Sequence, residues 1–213
     1  MSTPAPDPAQ PLFSPSFGGY TGQPGAIPGV GFWPRVGARI IDLLVHYMVV
    51  LCASFLFGLL LAVAAIITHQ PLPLLTAKLR HMGLMGSLFV LMGSIAYHAI
   101  CEGVHGSTAG KLALGMVVLQ EDGTPCRFKA ALIRTLAYFV DALFFGLIGY
   151  FAMQKTPQQQ RHGDDWAHTI VCKRSAAPPE SLRSGTRFFL ALMLGAMADA
   201  ALVMILLLLK LTL

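Results

Sequence analysis

The stretch GFWPRVGARIIDLLVH, from Gly31 to His46, decides what kind of protein this is. It places Arg35 and Arg39 at the start of a long apolar run and Asp42 inside that run. Together with His46 they are spaced at i, i+4, i+7 and i+11, so a helix carries all four on one face. A carboxylate in hydrocarbon costs roughly 2.5 to 3.5 kcal/mol on insertion scales, so the chain must pair it, hydrate it or use it.

The composition is that of an integral membrane protein. Of the 213 residues, 55% are hydrophobic and 12% are charged, whereas a soluble domain carries about twice that charge. The net charge of +5 comes from Lys and Arg spread along the chain without a basic run. This pattern is typical of loops that face anionic lipid, so we expect the lipid bilayer as a partner and no nucleic acid. The four cysteines form no C-x-x-C pair, and no disulfide framework is expected.

Apolar segments predict an all-α integral membrane fold. There are four of them: Leu43–Ile67, Met82–Cys101, Thr135–Met153 and Phe188–Leu209. The first is long enough to span a bilayer as a helix, at about 37 Å. The last carries Asp199, which is a further candidate for an ion path.

The third segment is expected to be re-entrant or interfacial, turning near Gly146 and Gly149. If all four segments span, the 15 basic residues divide almost evenly between the two sides of the membrane, seven against eight. If the third segment turns back, twelve basic residues lie in the cytoplasm and three lie outside, as the positive-inside rule favours. The sequence therefore predicts about three spanning helices in a multi-pass inner-membrane protein with a cytoplasmic N-terminus.

The domain organisation follows from these segments. Residues 1–34 are a Pro/Gly-rich tail that we expect to be disordered, 35–174 form the membrane domain, 175–187 are a linker, and 188–213 form an extra C-terminal transmembrane helix. Two short β-prone runs, Met116–Leu119 and Thr169–Cys172, are expected to pair as a small sheet on the cytoplasmic face.

Asp42 is the first candidate for an ion or proton path. With Asp141 as a second carboxylate and Arg35 as a basic group that tunes them, it would suit cation–proton exchange around one polar pocket. The structural alternative is a helix-locking pair, in which Arg35, Arg39 or a neighbouring segment holds Asp42. The residues alone leave both interpretations open, the ion path and the helix-locking pair.

Two further groups of polar residues are candidates for a structural or a metal-binding role. Arg161 and Asp164, in RHGDDWAHT, form a polar block that is typical of a structural latch beside the membrane. His98, Glu102 and His105 are weak metal candidates, because Glu-x-x-His is a spacing of carboxylate-bridged metal sites, but a second such motif is missing. We therefore expect neither metal nor cofactor. Without a nucleophile–base motif such as G-x-S-x-G or H-E-x-x-H, we expect no enzyme.

Four blocks in order give the chain a resemblance to the RDD family, named for one arginine and two aspartates. The first block begins with GFWPR at Gly31 and continues to Asp42, and the second is the GSTAGK stretch from Gly106 to Lys111 with the turn at Asp122-Gly123. The third block is Arg134 followed by Asp141. The fourth is RHGDDWAHTIV, from Arg161 to Val171. The resemblance implies a small helical membrane domain. Its name-giving residues would be Arg35, Asp42 and either Asp141 or Asp164.

The resemblance leaves two functions open. Some members of the family are credited with sodium–proton antiport, which favours a small cation–proton transporter, sodium or protons as ligands, and a homo-oligomer. Other members sit beside secretion or assembly genes, which favours a non-catalytic accessory or assembly subunit of a larger membrane complex. In that case the tail and the extra C-terminal helix would make the contacts.

Overall fold

The computed structural model describes residues 27–69, 71 and 83–212. Its elements follow in chain order: α1 (Phe32–Thr68), α2 (Gly83–Val104), α3 (Ala109–Ala113), β1 (Met116–Gln120), α4 (Phe128–Asp141), α5 (Leu147–Lys155), α6 (His162–Trp166), β2 (Thr169–Lys173) and α7 (Gly185–Thr212). Short 3-10 turns occupy Leu143–Gly146, Arg174–Ala176 and Pro179–Ser181. Residues 1–26 of the predicted tail lie outside the described residues.

Among the described residues, three stretches are long and apolar enough to cross a membrane, namely Phe32–Thr68, Gly86–Val104 and Pro179–Leu209. The all-α membrane fold is therefore confirmed. Helix α1 has 37 residues and is about 55 Å long, well beyond the roughly 30 Å of hydrocarbon. It begins at Phe32, eleven residues before the predicted span, because the arginines in its first turns find buried partners.

The third apolar segment is bent, as the sequence predicted. Helices α4 and α5 meet at an angle of 102°, either as a broken span or as a re-entrant loop. Phe144 and Phe145 have positive φ values of 50° and 60°, and Gly146 follows with a φ of 88°. Positive φ is ordinary for glycine but uncommon for an aromatic residue, so the turn is held in a strained backbone conformation.

The small sheet is also confirmed. Strands β1 and β2 are antiparallel, with a register that runs from Met116 opposite Lys173 to Gln120 opposite Thr169. The segment before α1 joins this sheet, because the Val30 backbone N–H donates to the Val171 carbonyl at 2.8 Å. Residue 34, where the sequence placed the boundary between tail and membrane domain, lies inside helix α1.

The C-terminal helix α7 packs against α2 and α1. Ala53 and Phe57 of α1 form an apolar cluster with Val203 of α7. The predicted linker before α7 is attached to the bundle, since the Arg183 guanidinium donates to the Gly103 carbonyl at 2.6 Å. The extra helix is thus an integral wall of the bundle rather than an appendage.

Candidate functional site

A single cavity brings together the three residues that the sequence selected for an ion path. It has a volume of about 380 Å³ and lies between α1, α2 and the bent α4–α5 pair. Arg35 and Asp42 line it from α1, and Asp141 lines it from the end of α4. All three side chains are buried.

Asp42 is held by hydrogen-bond donors rather than by an arginine. The Thr108 hydroxyl donates to its Oδ2 at 2.6 Å, and the Gly110 backbone N–H donates to its Oδ1 at 2.7 Å. The Tyr97 hydroxyl adds a longer contact at 3.3 Å. Glycine is required at 110, because a Cβ there would lie 2.0 Å from the Ala38 carbonyl oxygen. The GSTAGK stretch therefore builds the receptacle for Asp42, a role that sequence reasoning missed.

His98 and Arg39 complete the surroundings of Asp42. His98 Nε2 lies 3.7 Å from Asp42 Oδ2. Its Nδ1 lies 2.7 Å from the Ser94 carbonyl oxygen, so Nδ1 carries a proton and donates it. Arg39 donates to Nε2. Because a guanidinium has no acceptor, we assign His98 as the neutral Nδ1–H tautomer, with Nε2 as the acceptor.

Arg35 pairs with Asp164 rather than with Asp42, so of the three possible holders of Asp42 the neighbouring segment is the one present. Arg134 also reaches this carboxylate, at 2.6 Å, and Arg161 lies 3.6 Å from it. Burial alone would raise the pKa of Asp164, but the three guanidinium charges outweigh burial and hold this pKa well below its usual range. Of the two aspartates that the resemblance left open, Asp164 is therefore the one paired with Arg35.

The network continues through Arg134 to Glu102. Arg134 Nε donates to Glu102 Oε2 at 3.0 Å, and its NH1 donates to the Thr169 hydroxyl at 2.7 Å. Lys111 pairs with the other oxygen of Glu102. Burial lowers the pKa of Lys111, and the Glu102 charge opposes this effect. Five charged side chains, from Arg35 to Lys111, thus tie α1, α2, α3, α4 and α6 together.

The weak metal candidates do not converge. His98 faces Asp42, Glu102 joins the arginine network, and His105 contacts the Phe188 ring edge-on with ring centroids 5.2 Å apart. Within the described ranges, no group of three or more His, Cys, Asp or Glu side chains is placed to hold a metal ion.

Asp141 has its own partners on the far wall of the cavity. It accepts from the His162 backbone N–H at 3.2 Å, from His162 Nδ1 at 3.1 Å, and from the Gly163 backbone N–H at 3.3 Å. Asp141 therefore anchors the start of α6 while also lining the cavity.

A comparison with family models identifies the family of the chain. A model of the RDD family matches residues 30–168, which is about two thirds of the chain. The chain belongs to the RDD family. The matched region contains Arg35, Asp42, Asp141 and Asp164 and ends before α7. Comparisons with curated proteins and with solved structures found no match.

One buried pair of this RDD protein extends beyond the matched region. His46 Nδ1 lies 2.6 Å from Asp199 Oδ2, which joins α1 to α7. Both residues are buried, and neither His46 Nε2 nor Asp199 Oδ1 has a hydrogen-bond partner in the described part of the chain. The face of α1 that carries Arg35 and Asp42 thus continues to a third polar contact deeper in the bundle.

Proposed function

We propose that this RDD protein is a small cation–proton transporter whose ion path begins in the cavity between α1 and the α4–α5 pair. The observation that carries the proposal is that one cavity is lined by Asp42, Asp141 and Arg35. Two carboxylates and a basic group around one polar space are the elements that exchange of a cation for a proton needs.

The proton step is assigned to Asp42 and His98. Arg39 donates a hydrogen bond to His98 Nε2, which is the ring nitrogen that is left to accept a proton because Nδ1 donates to the Ser94 carbonyl. A proton and Arg39 therefore compete for the same lone pair. When Arg39 moves away, Nε2 takes a proton and faces Asp42 across 3.7 Å. Protonation of His98 then changes the charge beside the carboxylate, which is how a bound cation is released or admitted.

The path continues toward His46. This residue lies one helical turn beyond Asp42, a rise of about 6 Å. Its Nε2 and Asp199 Oδ1 are buried polar atoms without a hydrogen-bond partner among the described residues. Three spanning helices enclose only a narrow path, and we therefore propose a homo-oligomer. We place the arginine-rich end of the bundle on the cytoplasmic side of the inner membrane, following the positive-inside rule.

The test is sodium- and potassium-dependent proton movement in inverted vesicles that lack their own antiporters. Wild type, Asp42→Asn and Asp165→Asn are compared at equal expression. Asp165 is an exposed aspartate and serves as the matched control. We expect flux in wild type and Asp165→Asn and none in Asp42→Asn. Equal flux in Asp42→Asn would contradict the assignment of Asp42.

The alternative is a non-catalytic accessory or assembly subunit. The observation that favours it is that Asp42 already accepts from three donors, as a structural carboxylate does. In that case Asp42→Asn lowers the yield of folded protein in detergent, and folded wild type shows no flux. A transporter instead gives a folded Asp42→Asn protein without flux.

A further inference from the structure

Two cavity-lining guanidinium groups converge on one aromatic ring. Arg39 Cζ lies 4.3 Å from the centroid of the Tyr138 ring, and Arg161 Cζ lies 5.6 Å from the same centroid. Like charges gathered on one wall repel each other unless a negative group lies between them.

Neither guanidinium has a carboxylate of its own. Among the described residues, no carboxylate lies within ion-pair distance of Arg39, whose guanidinium partners are His98 and the Tyr138 ring. Arg161 has only the 3.6 Å contact to Asp164, on an oxygen that Arg134 already approaches to 2.6 Å.

Two arginines that line the cavity each have a guanidinium N–H group without an acceptor among the described residues. Arg161 Nε and Arg134 NH2 have no hydrogen-bond partner in the part of the chain that the structure describes. Arg134 is almost completely buried, at 1% exposure, and it lines the cavity. A buried guanidinium N–H without an acceptor is costly, and a bound anion would satisfy it.

The mouth of the cavity is apolar. Ile40, Leu43 and Phe145 line it, and all three are exposed at the surface of the bundle. Trp33 is exposed two turns before Ile40 on α1, which is a usual place for tryptophan at the boundary between headgroups and hydrocarbon. A ligand with a charged head and an apolar tail therefore fits this opening.

We propose that the cavity binds a phosphate-type anion through Arg39 and Arg161, and that this anion is the headgroup of an acidic phospholipid whose acyl chains leave past Leu43 and Phe145. Planar guanidinium groups match the oxygens of a phosphate in a two-point contact. The site goes beyond the proposed transport, because its occupancy is measured without ion flux. A bound phosphate would also give Arg39 the anionic partner that it does not have among the described residues.

The experiment is calorimetric titration of the purified full-length protein in neutral detergent. The first probe is dioctanoyl-phosphatidylglycerol, an acidic lipid. Dioctanoyl-phosphatidylcholine has the same acyl chains without the net negative charge, and inorganic phosphate has the charge without the acyl chains. Arg39→Gln and Arg161→Gln are compared with Arg187→Gln, which removes an exposed arginine of α7 outside the cavity. Size-exclusion chromatography checks that each variant is folded.

We expect saturable binding of the phosphatidylglycerol and weaker binding of the other two probes. Arg39→Gln and Arg161→Gln each weaken it by about ten-fold or more, the scale of a charged hydrogen bond, and Arg187→Gln leaves it unchanged. If Arg39→Gln fails to fold, Arg39→Lys keeps the charge and is expected to bind more weakly than wild type. Equal binding of the phosphatidylcholine, or equal losses in Arg187→Gln, would overturn the site. Inorganic phosphate binding as tightly as the lipid would overturn the lipid assignment.

Discussion

Asp164→Asn is expected to destabilise the protein more than the same change at an aspartate on the protein surface. The side chain is fully buried and pairs with Arg35 and Arg134, with Arg161 close by. Removing one partner of a buried ion pair costs about 3–5 kcal/mol, because the other charge is left buried without compensation. Here two buried guanidiniums lose the same partner, so we expect a loss near the upper end, about 5 kcal/mol.

The assay is reversible unfolding in mixed micelles by SDS titration, followed by circular dichroism. Asp165→Asn is the matched control, because it is the same change at the next residue, whose side chain is exposed. We expect Asp165→Asn to lie within about 0.5 kcal/mol of wild type. A loss below about 1 kcal/mol for Asp164→Asn, or equal losses in the two variants, would refute the reasoning.

The pH dependence gives a second check on Asp164. Its pKa in the folded protein is lowered by Arg134, Arg35 and Arg161 against the opposing effect of burial, whereas the unfolded value is about 3.9. A lowered folded pKa means that the stabilisation is fully present above the unfolded pKa and is lost as the pH falls toward the folded pKa. The difference between wild type and Asp164→Asn should therefore stay constant from pH 8 to 5 and shrink below about pH 4.

Two further predictions concern packing and thiol chemistry. Gly93→Ala places a Cβ 2.0 Å from Asp199 Oδ1, so we expect the free energy of unfolding to fall by about 1–3 kcal/mol in the same SDS titration. In the control Gly58→Ala the new Cβ meets nothing within 4 Å, and this change should be neutral or slightly stabilising. Equal losses in the two variants would contradict close packing of α2 on α7. Burial raises the pKa of Cys126 and of Cys172 to about 11, so N-ethylmaleimide at pH 8 should leave both unmodified until SDS unfolds the protein. Mass spectrometry of digested protein reads the result, and modification of either thiol in the folded state would contradict it.

Local patterns in the sequence were enough for the elements of the fold. Long apolar runs predicted the spans, and two β-prone runs predicted the sheet. Both signals depend on residues that are near one another in the chain. The bend near Gly146 and Gly149 was predicted from the distribution of basic residues along the whole chain. The start of α1 at Phe32 was not predicted, because it depends on partners that lie far away in sequence.

The pairing within the site was the part that the sequence could not predict. Arg35 and Asp42 lie on one face of a helix, and that spacing left Arg35, Arg39 or a neighbouring segment as possible partners of Asp42. In the structure Arg35 pairs with Asp164, which is 129 residues away. Asp42 receives donors from Thr108 and Gly110, two uncharged residues at the start of α3. The resemblance to RDD proteins pointed to that stretch without showing what it does.

The central claim is that the protein itself moves protons through Asp42. The most direct measurement is proton movement in liposomes that contain only the purified protein and a pH-sensitive dye in the lumen, driven by an imposed sodium gradient. We expect a sodium-driven pH change with wild type and none with folded Asp42→Asn. A folded wild type that leaves the lumenal pH unchanged, under sodium and potassium gradients alike, would contradict it.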